Sequence, residues 1–426
     1  MPDGTATAHL LQPKLATTFR EGYDLERLRR DALAGLTVAV VALPLSMAIA
    51  VASGVSPERG LYTSIIGGAL VSALGGSRFQ IGGPAGAFIV LVAATAARFG
   101  LTGLLTAVLL AGVILTLLGL ARLGSLVKHI PHAVTVGFTS AIAVIILASQ
   151  LKDLGGLTLA GAEPGPLLPK LGALGAALGT LRPAALATGL GVAAIIFGLR
   201  RWRPNWPGML IAVVIAAIAV FVLRLPVATI ASRFGAVPSG FPALTAPNLT
   251  PALVLQMLPS AVSFALLGAV ESLLSAKVAD AMSGRKHRSN MELIAQGLAN
   301  IASSCFGGIC VTGTIARTAT NVRAGARSPM AGVLHALFLL LFLLFAAPLA
   351  GYVPLSALAG VLLVVCWNMA EKREFARLLG DWKTAAVLVT TFGATLVRDL
   401  TAGIIAGCAL AAVLAFLHRA VPEEGD

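Results

Sequence analysis

Two charged side chains lie inside long apolar stretches of this chain, and these positions make them the strongest candidates for a functional role. Glu271 lies in LPSAVSFALLGAVESLLSAKVADAM at 258–282, and Arg317 follows the glycine-rich FGGICVTG at 306–313. Ionisable groups at bilayer depth cost roughly 2.5–3.5 kcal/mol each on insertion scales, so they persist mainly where they face a partner or a water-filled cavity. One acid and one base therefore predict a pair at a polar site. The alternative is that either residue snorkels to an interface or holds two helices together.

No sequence pattern indicates catalysis or a resident metal or cofactor. The four cysteines stand apart among apolar residues, and the six histidines show no metal-ligand spacing. The chain also contains no motif for a nucleophile with its base or for a nucleotide. We therefore expect no catalytic residue, no metal and no cofactor, and a protein that binds and passes a ligand rather than an enzyme.

The composition indicates a polytopic membrane protein. Apolar residues make up 57% of the 426 residues and charged residues 12%, with a mean hydropathy of +0.91. Soluble proteins average about 45–50% and about 25%. The net charge of +13 does not predict a nucleic-acid partner, because Lys and Arg concentrate in the loops expected on the cytoplasmic side. The expected surroundings are a lipid bilayer, with both chain termini in the cytoplasm.

Apolar spans recur along the chain and predict an all-α fold. We place fourteen spans at approximately 31–51, 60–75, 84–97, 102–121, 131–150, 184–199, 207–223, 257–281, 290–306, 313–322, 329–348, 354–369, 384–397 and 400–417. Several are shorter than the ~20 residues that cross a bilayer unaided, so some must be broken, tilted or half-length.

Two segments interrupt the apolar pattern in the same way. They are GGSRFQIGGPAGAFIVLVAAT at 75–95 and FGGICVTGTIARTATNV at 306–322. Each joins a glycine pair and a short β-prone stretch (79–81; 309–311) to the start of a short helix, near Pro84 and near Gly313-Thr314. The starts are about 230 residues apart, which predicts two inverted repeats of seven spans with interrupted helices meeting near the midplane. Alternatively, the glycine pairs only allow close helix packing.

Two facing helix N-termini would form an anion site. Their unpaired backbone N–H groups carry partial positive charge, and Arg317 and two threonine hydroxyls lie close by in the sequence. The candidate substrate-binding residues are Gly83, Pro84, Ala85, Gly86, Ala87, Thr312, Gly313, Thr314, Ile315, Ala316 and Arg317. Weaker candidates are Thr37, Ser46 and Phe88, since small hydroxyls often bond to their own helix and a phenylalanine often only packs.

Four blocks of the chain resemble the sulfate permease family, called solute carrier family 26 in animals: residues 28–68, IGGPAGAF at 81–88, residues 270–309 and residues 311–332. The resemblance implies fourteen segments in two inverted repeats, a fold shared with nucleobase permeases. The third and tenth segments, 84–97 and 313–322 here, would be the facing short helices. It also implies a core domain (segments 1–4 and 8–11), a gate domain (5–7 and 12–14) and an elevator-like movement of the core.

The resemblance further assigns roles to single residues. Glu271 matches an acidic position that coupled members use for H⁺ or Na⁺, Arg317 matches a basic residue that contacts the anion, and Leu45 replaces a common glutamine. We expect a proton-coupled symporter, with Na⁺ less favoured, in which the arriving anion competes for Arg317 and Glu271 takes up a proton. The substrate would be a small anion of the sulfate, bicarbonate or dicarboxylate class. The alternatives are an uncoupled exchanger or channel, a nucleobase permease of the same fold, and a non-transporting role.

The expected organisation follows from these assignments. We expect a cytoplasmic N-terminal segment at 1–30, the first repeat at 31–224, an extracytoplasmic loop at 225–256, the second repeat at 257–418 and a cytoplasmic tail at 419–426. The family's C-terminal regulatory domain, named for sulfate transporters and anti-sigma factor antagonists (STAS), is expected to be absent from this chain. The expected location is the inner membrane of a prokaryote, as a homodimer.

Overall fold

The structure, a computed structural model, describes residues 11–124, 131–161, 163–164, 166–204, 206–398 and 400–420. Within these ranges the regular elements are helices apart from two very short strands, which confirms the all-α fold class. Each of the fourteen predicted apolar spans overlaps a helix. Residues 1–10 of the expected N-terminal segment and 421–426 of the expected tail lie outside the described residues.

The elements of the first half are α1 (Lys14–Arg20), α2 (Leu25–Ala52), α3 (Pro57–Tyr62), a π-helical turn (Thr63–Gly67), α4 (Gly68–Leu74), β1 (Gly82–Gly83), a 3₁₀ turn (Gly86–Phe88), α5 (Ile89–Leu120), α6 (His132–Gly155), α7 (Leu167–Ala176), a second 3₁₀ turn (Leu178–Thr180), α8 (Pro183–Trp202), α9 (Gly208–Val222) and α10 (Ile230–Phe234). Those of the second half are α11 (Pro251–Ser283), α12 (Ser289–Cys305), β2 (Thr312–Gly313), α13 (Ile315–Arg323), α14 (Met330–Ala350), α15 (Leu355–Met369), α16 (Lys372–Leu378), α17 (Trp382–Val397) and α18 (Leu400–Ala420).

Several helices are long and apolar enough to cross a membrane. Among the described residues, seven meet that criterion: Leu25–Ala52, Gly86–Leu120, His132–Gly155, Pro183–Trp202, Pro251–Ser283, Met330–Ala350 and Leu355–Leu378. Shorter apolar helices occupy Leu167–Ala176, Gly208–Val222, Trp382–Val397 and Ala402–Phe416. Half-length helices of this kind were expected from the short apolar spans.

A break in α5 explains why the sequence predicts two spans there. Gly100 adopts φ 67° and ψ −173°, a left-handed conformation that interrupts the helix. Glycine takes positive φ without the steric penalty that a Cβ would bring. The residues before Gly100 therefore form the expected short helix, and those after it form the next span.

The helices pack into two groups. In the first, which we call the core group, α5 packs along α11 and α12, while α2 packs along α14 and α13. In the second, the gate group, α6 packs against α15 and α17, α8 against α15, and α17 against α18. Contacts between the groups run mainly from α2 to α15 and α9. The interrupted segments belong to the core group.

Two helices begin earlier than the apolar spans that mark them. Helix α2 begins at Leu25, where the Asp24 side chain accepts the Arg27 N–H at 2.8 Å and caps the first turn. Helix α11 begins at Pro251, and proline suits a first turn. The interval 225–256 thus contains α10 and the first turns of α11. Apolar patterning marks the membrane-compatible part of a helix, whereas capping and first-turn residues mark where the helix begins.

Asp31 of α2 ties the end of the second interrupted segment to the first helix. Its carboxylate is fully buried and accepts the Arg327 N–H at 2.6 Å, the Ser328 N–H at 3.1 Å and the Ser328 hydroxyl at 2.5 Å. The Tyr23 hydroxyl donates to the same carboxylate at 2.9 Å. These bonds hold the loop after α13 against α2.

We predict that Asp31→Ala lowers the free energy of unfolding by about 2–4 kcal/mol, because several buried donors lose a charged acceptor. Thermal unfolding of the detergent-solubilised protein measures the change. The matched control is Glu26→Ala, one turn earlier on α2, whose side chain is 72% exposed. Equal melting temperatures for the two variants would contradict the anchoring role of Asp31.

Candidate functional site

The two interrupted segments cross and pair through their backbones. Strands β1 and β2 are antiparallel, with Gly82 opposite Gly313 and Gly83 opposite Thr312. The Thr314 N–H extends the contact by donating to the Ile81 carbonyl at 3.1 Å. The paired residues lie just after the β-prone stretches 79–81 and 309–311 that the sequence suggested. Pairing satisfies backbone groups that the interrupted helices leave free.

Glycine is required at this crossing because the chains approach closely. A Cβ at Gly313 would lie 1.6 Å from Gln80 Nε2, and one at Gly83 would lie 1.9 Å from Arg317 Nη1. A Cβ at Gly82 would lie 2.7 Å from Val71 Cγ2. The glycines of the paired strands therefore allow the two segments to pack closely, and the same packing brings the helix starts together.

Both short helices begin at uncapped N-termini beside the crossing. Ala85 and Thr314 precede the first turns with extended backbones, and neither side chain caps its helix. The first bonds within the turns run from the Phe88 N–H to the Ala85 carbonyl and from the Thr318 N–H to the Thr314 carbonyl. The backbone N–H groups that have no partner among the described residues are those of Gly86, Ala87, Ile315, Ala316 and Arg317.

These helix starts are accessible at the boundary between the helix groups. Ile315 is 37% exposed, and Ala316 is also exposed. A Cβ at Gly86 would lie 3.3 Å from Met369 Sδ of α15 and 3.8 Å from Ile146 Cδ1 of α6, so this start faces the gate group. A small anion at this boundary could accept bonds from free amides of both helices.

Arg317 is fully buried and joins three segments of the core group. Its Nη1 donates to Ser64 Oγ at 3.1 Å, and its Nη2 donates to Ser46 Oγ at 3.1 Å and to the Pro84 carbonyl at 3.3 Å. The two serine hydroxyls are 2.8 Å apart. Side chains on a helix lean toward its N-terminus, which explains how Arg317 reaches back to the residue before the first short helix.

The predicted ion pair between Arg317 and Glu271 is wrong for this structure. Among the described residues, no acidic group lies within 4.0 Å of the Arg317 guanidinium. Three of its four terminal N–H groups donate to two hydroxyls and a carbonyl, and its Nε has no partner among the described residues. Arg317 is thus both a staple between segments and a buried positive charge without an acid beside it.

Glu271 lies on α11 with 7% of its surface exposed. It has no hydrogen-bond or ion-pair partner in the described part of the chain, while the adjacent Ser272 bonds to Thr312 Oγ1 at 2.9 Å and accepts the Gly313 N–H at 3.2 Å. Glu371 follows α15 of the gate group and is exposed.

The candidate hydroxyls are engaged inside the core group. Thr312 is fully buried and bonds to α11, and Thr314 Oγ1 donates to the Ile81 carbonyl at 3.4 Å. The rings of Phe88 and Phe264 stack with their centroids 6.0 Å apart, which supports the packing interpretation for Phe88. Thr37 donates to the Leu33 carbonyl within α2.

The sequence argument missed two buried polar side chains near the crossing. Gln80 is 3% exposed and His335 of α14 is fully buried, and neither the Gln80 amide nor the His335 ring has a partner among the described residues. His335 lies close enough to Arg317 to interact with its charge. Buried polar groups without protein partners usually bond to ordered water. The available signal for Gln80 was a polar residue within the β-prone stretch 79–81, two positions before Gly82.

Neither a metal centre nor a disulfide occurs in the described part of the chain. No group of three or more His, Cys, Asp or Glu side chains is arranged to hold a metal ion there. The four cysteines are free, and two of them, Cys310 and Cys366, are buried.

Comparison with known proteins is consistent with this architecture. Residues 28–392 match the sequence profile described as the Sulfate permease family. The protein named Putative sulfate transporter YvdB, from Bacillus subtilis (strain 168), is 43% identical over 402 residues, covering 94% of this chain and 75% of the relative. Bicarbonate transporter BicA, from Picosynechococcus sp., is 34% identical over 344 residues, covering 78% and 60%.

Solved structures of two transporters superpose on this chain. The transmembrane domain of a cyanobacterial bicarbonate transporter BicA superposes with a TM-score of 0.80 at 30% identity, covering 90% of this chain and 98% of that domain. Murine Slc26a9, an anion transporter in the inward-facing state, superposes with a TM-score of 0.87 at 20% identity, covering 98% and 73%. The second likeness shows the fold alone.

We predict that Gly313→Ala destabilises the protein by about 1–3 kcal/mol, since the new Cβ overpacks the crossing. Gly191→Ala on α8 is the control, because a Cβ there meets nothing within 4 Å and alanine suits a helix better than glycine. Thermal unfolding of both variants in detergent measures the difference. A Gly313→Ala variant as stable as Gly191→Ala would show that the strands do not pair as described.

Proposed function

This chain belongs to the sulfate permease family, and from that premise we propose that it binds a small anion between its two uncapped helix starts and carries it across the membrane. The observation that carries the proposal is the convergence of five unpartnered backbone N–H groups, from Gly86, Ala87, Ile315, Ala316 and Arg317, at the boundary between the core and gate groups. Helix N-termini attract anions through such groups and through the helix dipole.

The buried guanidinium of Arg317 adds a full positive charge to this field. Because no acid in the described part of the chain lies beside it, an anion at the helix starts would be its nearest counter-charge. A charge in a low-dielectric interior acts strongly over a few ångströms. Its hydrogen bonds to Ser46 and Ser64 fix the guanidinium beside the crossing, so Arg317 supports the site without having to move.

The substrate class is a small inorganic or carboxylic anion. Relatives are named for sulfate and for bicarbonate transport, and both are oxyanions that accept hydrogen bonds on several sides. Dicarboxylates share that chemistry. Leu45, which replaces the family's common glutamine, is 6% exposed on α2. The match to the Sulfate permease profile disfavours the nucleobase permease alternative.

The proposed transport movement is a displacement of the core group against the gate group. The half-helices and Arg317 all belong to the core group, and Gly86 faces α6 and α15 of the gate group. A core that slides as a body would carry the site with its anion, an elevator-like mechanism. The support for this movement is the packing of the helices into two groups with the site at their boundary.

The proposed coupling ion is H⁺, bound by Glu271. Glu271 is buried on α11 of the core group without a hydrogen-bond partner among the described residues. A buried carboxylate without a partner is costly to keep charged, and binding a proton removes that cost. Proton uptake would therefore let Glu271 stay buried while the core group moves. Na⁺ coupling, or an uncoupled exchanger or channel, is the alternative.

The proposed setting is the inner membrane of a prokaryote, with cytoplasmic termini and a homodimer. The basic loops around Arg285 and Lys372 support a cytoplasmic side that also holds the N-terminus. We propose the same division as in the sequence interpretation, with repeats at 31–224 and 257–418.

We predict that Arg317→Gln abolishes concentrative anion uptake into proteoliposomes while the protein still folds, because glutamine removes the positive charge but keeps a polar side chain beside the Ser46–Ser64 pair, whose hydroxyls still bond to each other. Uptake of sulfate, bicarbonate and succinate is measured with and without an imposed pH gradient. The control is Arg201→Gln, an exposed arginine at the end of α8. Wild-type uptake by Arg317→Gln would leave Arg317 only a structural role.

We predict that Glu271→Gln loses uphill uptake driven by an inward proton gradient yet retains downhill anion exchange. Glutamine keeps the shape of the side chain but cannot take up or release a proton. The pH dependence of transport should flatten in this variant, which rates measured between about pH 5 and pH 8 would reveal. Gradient-driven accumulation equal to that of the wild type would remove the coupling role and favour an exchanger or channel.

A further inference from the structure

A second polar cavity lies apart from the half-helix crossing, against α1 and the start of α2. Its volume is about 270 Å³, and five arginines line it: Arg27, Arg30, Arg78, Arg285 and Arg327. We call this cavity the arginine cleft. The arginines come from four separate parts of the core group: the first turns of α2, the loop before β1, the loop between α11 and α12, and the loop after α13.

The acidic residues of the arginine cleft neutralise only part of this charge. Glu21 pairs with Arg78, and Glu26 pairs with Arg30 at 2.5 Å. The hydrogen bond from Arg78 holds the pKa of Glu21 below its ordinary value. Asp24, the third acid of the lining, caps α2 through the Arg27 N–H. Five arginines and three acids leave a net charge of +2 in the lining.

The remaining guanidinium groups have no acidic partner. The Arg27 side chain donates to the Gly22 carbonyl, a neutral acceptor. The Arg285 and Arg327 side chains are exposed and have no hydrogen-bond partner among the described residues. Lys14 lies in the same positively charged region. Burial lowers its pKa first, and the charges of Arg288 and Arg78 lower it further.

We propose that the arginine cleft binds a phosphate group. Guanidinium groups match phosphate oxygens in shape and form paired, charge-assisted hydrogen bonds with them. Like charges brought together from separate loops repel, and a multiply charged anion removes that repulsion. The phosphate could belong to a membrane lipid headgroup or to a free phosphate compound, since arginines close to a bilayer surface attract both.

A phosphate in the arginine cleft would brace the second half-helix against α2. The loop after α13 supplies Arg327, and its backbone is already tied to α2 because Asp31 accepts the N–H groups of Arg327 and Ser328. The bound group would add a bridge from Arg327 to Arg27 and Arg30 on α2. Occupancy therefore stiffens the part of the core group that carries the crossing.

The experiment compares the wild type with the double variant Arg285→Gln/Arg327→Gln. Two probes are used on the purified full chain in nanodiscs: inorganic pyrophosphate in neutral-lipid discs, measured by calorimetry, and phosphatidylglycerol or phosphatidic acid, measured by native mass spectrometry of the bound lipid. We expect the double variant to bind about tenfold or more weakly than the wild type to whichever of the two probes the wild type binds. The matched control is Arg201→Gln/Arg203→Gln, which removes two exposed arginines outside the cleft.

The two probes separate the sources of phosphate. Cleft-dependent binding of pyrophosphate supports a free phosphate ligand, and cleft-dependent retention of anionic lipid alone supports a headgroup. Melting temperatures of the variants in neutral discs verify that both remain folded. Should the cleft variant misfold, the single variant Arg285→Gln replaces it, because the exposed Arg285 side chain has no hydrogen-bond or ion-pair partner among the described residues. Equal losses in the cleft and control variants, or no binding of either probe to the wild type, would overturn the proposal.

Discussion

The architecture depends on one contact, the antiparallel pairing of Gly82–Gly83 with Thr312–Gly313. A helix interrupted at membrane depth leaves backbone groups that lipid cannot satisfy, so each break must find its partner within the protein. Here the backbone groups left free at one break form hydrogen bonds with those at the other break. Glycine allows the close approach, because a Cβ at position 313 would overlap the Gln80 side chain unless that side chain moved. The pairing sets the positions of both helix starts, and their free N–H groups follow from it.

The electrostatics of the site rest on positive charge that no acid balances among the described residues. The amides of Gly86, Ala87, Ile315 and Ala316 have no partner in that part of the chain, and the buried Arg317 donates to hydroxyls and a carbonyl rather than to a carboxylate. An arginine paired with Glu271 would have needed to exchange one negative partner for another. In the proposed mechanism, anion and proton would use separate groups of the core.

Much of the fold was predictable from the sequence, because it follows from local patterns. Apolar runs and matched glycine interruptions are local patterns, and they predicted the all-α fold and the two short helices. The substrate-binding role of residues 83–87 and 312–317 stays a prediction. Side-chain partners were not predictable, since they depend on helix rotation and on contacts hundreds of residues apart. The Arg317–Glu271 pair failed for that reason. The contact of Arg317 with Ser46 and Ser64, and the burial of Gln80 and His335, are likewise products of packing that no local pattern records.

The central claim is that an anion occupies the space between the two helix starts. Anomalous X-ray scattering from crystals of this protein soaked in bromide or selenate locates an anion directly. We predict an anomalous peak within hydrogen-bond distance, about 3 Å from nitrogen, of the amides of Gly86 or Ala87 and of Ile315 or Ala316, on the side that faces Met369. Anomalous peaks confined to other parts of the molecule, with the helix starts empty at saturating anion, would contradict the account.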